Sequence, residues 1–125
     1  YEKKKDKKLE EKKIENNQNR QYESLRLNTS DLICIQSSDN YVEVVYLEGD
    51  SIKKQLIRNK LATVEESLNL VVRTHRSYLV NPTHFKQWQR ANRKVNMVLS
   101  HDLEVPVSKT YQEAVEKAVN STTES

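Results

Sequence analysis

Residues 72–85 read VRTHRSYLVNPTHF and place a polar turn, His75-Arg76-Ser77, directly before the apolar run Tyr78-Leu79-Val80. Tyrosine, leucine and valine in succession favour a buried β-strand, and Asn81-Pro82 marks its end. Such a strand would anchor the turn and leave an imidazole, a guanidinium and a hydroxyl together at the surface. These groups bind phosphate oxygens and base edges, so the segment predicts a DNA-binding turn on a β scaffold.

Further short strands are predicted on both sides of this segment. Runs rich in β-branched and aromatic residues, separated by turn residues, indicate strands at 24–28, 31–37, 41–47, 51–56, 71–73, 78–80, 85–89, 94–99 and 103–105. Within 41–47, Val42, Val44 and Tyr46 share one face while Glu43 lies on the other. The pattern predicts antiparallel strands in a sheet that packs on one face and is half exposed on the other.

Two helices complete the prediction. Asn59 can cap a helix over 60–68, whose Leu61, Val64 and Leu68 fall on one side. A C-terminal helix over 111–119 can be capped by Ser108 or Thr110. The expected fold class is therefore mostly β, an elongated antiparallel domain with one short covering helix and a C-terminal helix.

Charge is unevenly distributed along the 125 residues. The formal net charge is +3, and residues 1–20 hold eight Lys or Arg against five Asp or Glu, so the whole surplus lies in this stretch. A mixed charge run of this kind is usually a solvated segment. We expect residues 1–21 to be a charged linker, helical or disordered, residues 22–120 to be one folded domain, and residues 121–125 to be a disordered tail.

The folded part is neutral in sum but polarised. From Arg73 to Lys109 there are seven basic residues against two acidic ones, Asp102 and Glu104. Such an asymmetry can create a local positive field that attracts a polyanion.

Several functional classes are disfavoured. Cys34 is the only cysteine and lies in an apolar run, so it can form no disulfide within the chain, and burial would hold it as an unreactive thiol. The histidines lie far apart in sequence and have no partner cysteine pair, as a zinc site would require. A single glycine leaves no phosphate-binding glycine-rich loop. We expect no enzyme activity, no cofactor and no metal, and a reducing, cytoplasmic location.

Two more polar turns repeat the chemistry of His75-Arg76-Ser77. Ser37-Ser38-Asp39-Asn40 follows a strand, and Val107-Ser108-Lys109 precedes the last helix, whose dipole favours an anion. Arg93, at a predicted hairpin tip, can contact a backbone phosphate or keep a strand edge soluble. Each turn also fits an ordinary surface turn, and Lys109 fits a solvated lysine.

Aromatic residues offer an alternative. Trp88 and Tyr41, with Phe85 and Tyr78 nearby in sequence, could form a base-stacking platform for single-stranded nucleic acid. Packing in the core accounts for the same residues more simply.

An ordered set of motifs resembles a known family. It comprises Asp31-Leu32-Ile33-Cys34-Ile35, Ser37-Ser38-Asp39-Asn40-Tyr41, Leu56 with the predicted covering helix after it, Arg73-Thr74-His75-Arg76-Ser77-Tyr78-Leu79-Val80-Asn81 and Val105-Pro106-Val107-Ser108-Lys109. With these motifs, the segment from residue 22 to about 119 resembles the LytTR DNA-binding domain of bacterial transcriptional regulators. The resemblance implies loops that enter successive major grooves of duplex DNA.

The resemblance also assigns roles to residues. It implies base contacts from Asn40 or Tyr41, from Arg76 and from Lys109. It implies phosphate contacts, or orientation of the base readers, for Ser37, Ser38, His75, Ser77 and Ser108.

The resemblance further implies partners. These are double-stranded DNA with repeated half-sites, a dimer formed on DNA, and an upstream receiver domain or membrane sensor outside this sequence. A membrane sensor would make the chain the cytoplasmic part of an anchored regulator. The rival hypothesis is a β-rich protein-interaction module that docks a peptide at a strand edge and binds no nucleic acid.

Overall fold

A computed structural model describes residues 11–14 and 25–123 of the chain. The strands are β1 (Glu11–Ile14), β2 (Leu25–Asn28), β3 (Leu32–Ser38), β4 (Tyr41–Glu48), β5 (Ser51–Arg58), β6 (Val72–His75), β7 (Tyr78–Val80), β8 (Phe85–Ala91), β9 (Lys94–Leu99) and β10 (Glu104–Pro106). The helices are α1 (Leu61–Ser67) and α2 (Lys109–Thr123). Single 3-10 turns cover Thr29–Asp31, Pro82–His84 and Ser100–Asp102.

The strands form antiparallel sheets. The largest has five strands in the order β5-β4-β3-β7-β6, and a second has three in the order β10-β9-β8. β1 and β2 form a separate antiparallel pair. The β4–β5 hairpin turns at Gly49, whose φ of 65° is the left-handed value that the first position of a two-residue hairpin turn can require.

The hydrophobic core lies on both faces of the five-stranded sheet. On one face, Ile35, Val44 and Leu79 pack with Leu61 and Val64 of α1. On the other face, apolar side chains of the large sheet form a single cluster with the three-stranded sheet and α2: Ile33, Cys34, Val45, Val80, Met97, Leu99, Val105, Val107, Val115 and Val119. α1 and the β8–β10 sheet with α2 therefore cover opposite sides.

The fold-class prediction is confirmed: the described residues are mostly β, in antiparallel sheets with two helices. The predicted strands agree with the observed ones to within one or two residues. The prediction of a half-exposed sheet is wrong, because Val45 and Cys34 on the face of Glu43 are buried under the second sheet and α2. Only the part of that face near Glu43 and Leu56 stays open.

Cys34 is buried, as predicted. Burial is the main cause that raises the pKa of its thiol from 9.0 to about 12, and the nearby Glu43 carboxylate raises it further. The thiol stays protonated at neutral pH and therefore lacks the thiolate that nucleophilic or redox chemistry requires.

The termini differ from expectation where they are described. Glu11–Ile14 form a strand, where a helix or disorder was expected, because pairing with β2 satisfies their backbone groups and a short isolated helix has little stability in water. The rest of the predicted linker lies outside the described residues. Helix α2 continues through Thr123, so residues 121–123 of the expected tail are helical, while 124 and 125 lie outside the described range. Thr110 lies inside α2 and is not its cap.

Candidate nucleic-acid interface

Four connections meet at one end of the sheets. The β3–β4 turn is closed by the pair Ser38 and Tyr41, and the pair Gln36 and Tyr78 places the β6–β7 turn beside it. In the second sheet, the β8–β9 turn and the end of β10 lie at the same edge, because Pro106 pairs with Asn96. We call the segments 37–41, 75–78, 91–94 and 106–109 the turn cluster.

Backbone hydrogen bonds hold the turn cluster together across the two sheets. The Ser37 N–H donates to the carbonyl of Ser77 at 2.9 Å, which joins the first two segments. The Ser108 N–H donates to the carbonyl of Thr74, also at 2.9 Å, which joins the start of α2 to the end of β6. Because backbone atoms make these bonds, the spacing of the segments is a property of the scaffold and does not depend on the side chains they present.

The β6–β7 turn presents a cation and an oriented imidazole. Arg76 is exposed at its tip. The Ser77 N–H donates to Nδ1 of His75 at 3.2 Å, so Nδ1 is an acceptor and the proton of the neutral ring lies on Nε2. The ring also meets Tyr78 edge to face at 5.8 Å between centroids. His75 is therefore a fixed donor that can bind a phosphate oxygen through Nε2–H.

The β3–β4 turn presents Ser38, Asn40 and Tyr41. Asp39 adopts a φ of 53°, which allows the chain to reverse in two residues and leaves Ser38 and Asn40 exposed. Tyr41 is 37% exposed, and its hydroxyl accepts a hydrogen bond from Nη1 of Arg58 at 3.1 Å. The Arg58 guanidinium also lies 5.3 Å from the centre of the tyrosine ring. Tyr41 is thus an oriented ring at the surface.

The remaining segments line a groove beside His75. Its floor contains Val95, Pro106 and Val107, and its rim carries charged and polar groups: His75, Arg93, Lys94, Asn96, Ser108, Lys109 and Gln112. The groove opens at the N-terminus of α2, where the helix dipole and free N–H groups favour an anion.

Arg93 owes its position to the β8–β9 turn. Asn92 and Arg93 have φ values of 53° and 67°, and two successive positive values are typical of the tight hairpin turn that matches strand twist. The turn projects Arg93 and Lys94, both exposed, at the side of the groove. The cluster therefore carries Arg76, Arg93, Lys94 and Lys109 as cations at one end of the molecule.

The structure brings all the predicted site residues to the turn cluster: Ser37, Ser38, Asn40, Tyr41, His75, Arg76, Ser77, Arg93, Ser108 and Lys109. Their contacts with DNA stay a prediction. Trp88 is half-buried, meets Phe85 in a tilted ring contact at 5.2 Å between centroids and lies under the Arg90 guanidinium at 5.5 Å, so it packs against the core.

Sequence reasoning missed four residues of this end of the molecule. Arg58 faces Tyr41 across the β4–β5 hairpin, which the short Gly49 turn and the strand register could have shown. Lys94 and Gln112 line the groove, and Arg73 on β6 bonds both to the β6–β7 turn and to Glu65 on α1. No local pattern places these last three residues, because each depends on contacts between separate elements.

Comparison with known proteins identifies the family. The sequence model of the LytTr DNA-binding domain matches residues 22–120. The chain belongs to the LytTR DNA-binding domain family. A solved structure with the same fold is the LytTr DNA-binding domain of a Bacillus cereus protein described as a methyl-accepting/DNA response regulator, with a TM-score of 0.68 and 18% sequence identity over 88% of this chain and 96% of that one. A search of curated proteins found no match.

Membership of the LytTR family implies DNA binding by a regulator, and the family is one of DNA-binding domains rather than enzymes. Among residues 11–14 and 25–123, no group of three His, Cys, Asp or Glu side chains is placed to hold a metal ion. Neither helix of the described chain has the length and apolar character that a bilayer span requires.

Proposed function

We propose that this LytTR domain binds double-stranded DNA sequence-specifically, with the loops of the turn cluster entering successive major grooves. The observation that supports the proposal is that four connections from two sheets lie side by side at one end, where backbone hydrogen bonds join Ser37 to Ser77, Ser108 to Thr74 and Val107 to Val95. A fixed row of turns can reach more than one groove of a duplex without folding on it first, so little entropy is lost in binding.

Base reading would come from the exposed side chains at the turn tips. Arg76 can donate two hydrogen bonds to O6 and N7 of guanine, and Asn40 can pair with N6 and N7 of adenine. Tyr41, beside Asn40, offers an apolar ring edge to a thymine methyl group. Lys109 can donate to the same guanine acceptors, but a lysine acts as a point charge and lacks the planar fork of an arginine.

Phosphate contacts would hold the domain in register. His75 can donate through Nε2–H, and Ser37, Ser38, Ser77 and Ser108 can donate through their hydroxyl groups. Arg93 at the hairpin tip adds an exposed cation beside the groove. These contacts carry no sequence information, so they should act on any duplex alike.

We further propose that two copies bind a pair of repeated half-sites, which would raise affinity through a second linked contact. An upstream receiver or membrane sensor would control this step. Because a DNA-binding domain acts on the chromosome, we propose a cytoplasmic location.

The rival function is docking of a peptide on β5, one of the two edge strands of the large sheet. Leu56 on this strand is 50% exposed, which favours an apolar contact. Lys53 and Lys54 are exposed beside it, and charged residues of this kind usually protect an edge strand from pairing.

Salt dependence separates the two functions. If the four cations of the turn cluster each neutralise a phosphate of a duplex, we expect the logarithm of the association constant to fall with the logarithm of salt concentration with a slope of about −3 to −4. Arg93→Gln should reduce the slope by about 1, because one neutralised phosphate is lost. The measurement is a fluorescence-anisotropy titration on a random-sequence duplex at several salt concentrations.

Lys117→Gln is the matched control. Lys117 is exposed on α2 outside the turn cluster, so its loss should leave the slope unchanged. A slope near zero for the parent chain, or an equal change for the two variants, would count against DNA binding through the turn cluster.

A further inference from the structure

Arg73 connects helix α1 to the turn that carries Arg76. Its Nη1 donates to the main-chain carbonyl of Arg76 at 2.8 Å. Its Nε and Nη2 donate to Oε1 of Glu65 on α1 at 3.2 Å and 2.7 Å. One guanidinium therefore bonds to the helix and to the turn at the same time.

The bonds between Arg73 and Glu65 are partly shielded from water, while the bond to the Arg76 carbonyl is exposed. The side chains of Arg73 and Glu65 are 18% and 37% exposed, which is far less than the exposed pair of Lys86 and Asp102, at 52% and 84%. Charge-assisted hydrogen bonds that are partly withdrawn from solvent are stronger than exposed ion pairs, because water competes with them less.

The β6–β7 turn needs this support because the strand pairing that leads into it is irregular. The register between β6 and β7 shifts between Arg73 and His75, so the regular strand ladder is interrupted just before the turn. The Arg73 side chain supplies a bond to the Arg76 carbonyl beyond this irregular point. The position of the Arg76 backbone then depends on where Glu65 holds the guanidinium.

We infer that Glu65 and Arg73 are positioning residues for base recognition: together they hold the β6–β7 turn so that Arg76 meets its base at a fixed angle. We call this pair the α1 brace. The inference rests on the proposed function, because it assumes that Arg76 reads a base. Through this brace, α1 would affect sequence specificity by aligning the Arg76 side chain, although we predict no contact between α1 and DNA.

A double-mutant cycle tests the brace. Glu65→Ala removes the carboxylate without disfavouring the helix, since alanine is the best helix former. We expect the variant to bind the cognate duplex about fivefold more weakly, with no comparable loss on a random duplex, because contacting residues in one network are coupled. In an Arg76→Ala background, the same change should cost nothing further, since the residue being positioned is gone.

Glu66→Ala is the control for charge. Glu66 is the next residue on α1, is exposed, and carries the same charge. Any gain in DNA affinity from removing a negative charge is therefore common to both variants, and Glu66→Ala should leave the ratio of cognate to random affinity unchanged.

Arg73→Lys is the second variant. Lysine keeps the positive charge but cannot bond to Glu65 and the Arg76 carbonyl in the same planar geometry. We expect a loss of cognate affinity similar to that of Glu65→Ala, with circular dichroism and thermal unfolding confirming that the variant is folded. This variant keeps the inference testable if Glu65→Ala does not fold.

The possible results are distinguishable. The brace is wrong if Arg76→Ala lowers the ratio of cognate to random affinity while the folded brace variants leave it intact. It is also wrong if they lower cognate affinity equally in the presence and absence of the Arg76 side chain. If Arg76→Ala itself leaves the ratio unchanged, base reading by Arg76 fails, and the brace fails with it.

Discussion

Arg76→Ala should weaken binding to the cognate duplex by about 1 to 3 kcal/mol, the usual discrimination from one bidentate contact between arginine and guanine. The side chain is exposed at the tip of a turn whose backbone is held on both sides, by the Ser37–Ser77 hydrogen bond and by Arg73. Its removal should therefore change recognition and leave the scaffold intact. The measurement is the dissociation constant on the cognate duplex and on duplexes changed at single positions.

The pattern of loss is as informative as its size. If Arg76 reads a base, preference should relax at one position of the site, while affinity for random duplexes changes little. Arg90→Ala is the comparison: Arg90 has the same charge, but it lies over Trp88 and 3.8 Å from Glu116, outside the turn cluster. That variant should leave the ratio of cognate to random affinity as it is. If Arg76→Ala lowers the affinity for all duplexes equally, the Arg76 side chain contacts a phosphate and not a base.

Asn81→Ala should lower the free energy of unfolding by about 2 to 4 kcal/mol. Asn81 is fully buried. Its Nδ2 donates to the carbonyls of Thr29 and Leu32 at 3.1 and 2.8 Å, and its Oδ1 accepts from the N–H and hydroxyl of Thr83 at 3.1 and 2.9 Å. Alanine would remove the side-chain donor to the buried carbonyls of Thr29 and Leu32 and the acceptor of the two Thr83 bonds.

Urea denaturation followed by circular dichroism measures this effect. Asn69→Ala is a suitable control, because Asn69 is exposed and its loss should change stability by less than about 0.5 kcal/mol. Asn81→Asp should also destabilise, since a carboxylate cannot donate to the Thr29 and Leu32 carbonyls. If Asn81→Ala and the parent chain have similar urea midpoints, the hydrogen-bond network contributes little to the free energy of unfolding.

Local sequence patterns predict much of this fold, because its strands and turns have characteristic residue compositions. Short β-branched runs, the glycine at 49 and the helical spacing of apolar residues locate nearly all of the observed strands and both helices, although Lys60 and not Asn59 precedes the first helix as its cap. The burial of both sheet faces could not be predicted from β4 alone, because Glu43 marks one face as polar while Val45 and Leu47 on that same face pack under α2 and β9. That outcome depends on how distant elements pack.

The candidate site, like the fold, is only partly predictable from local sequence. The polar turn at Arg76 and the serines at 37 and 38 are visible in the sequence because turn residues and hydroxyls stand next to apolar strands. The groove between His75, Arg93 and Lys109 is not visible, since it forms only when β9, β10 and α2 meet the end of β6. The Glu65–Arg73 pair likewise joins two elements that no single periodic pattern relates.

Amide chemical-shift mapping is the direct test of whether the turn cluster binds duplex DNA. The isotope-labelled chain would be titrated with a duplex selected from a random pool for tight binding. We expect the large shifts to fall on the turn cluster, residues 37–41, 75–78, 91–94 and 106–109, while Gly49 and Asp50 at the opposite end of β4 stay unchanged. Large shifts at the β4–β5 turn or along β5, with the turn cluster silent, would contradict the account.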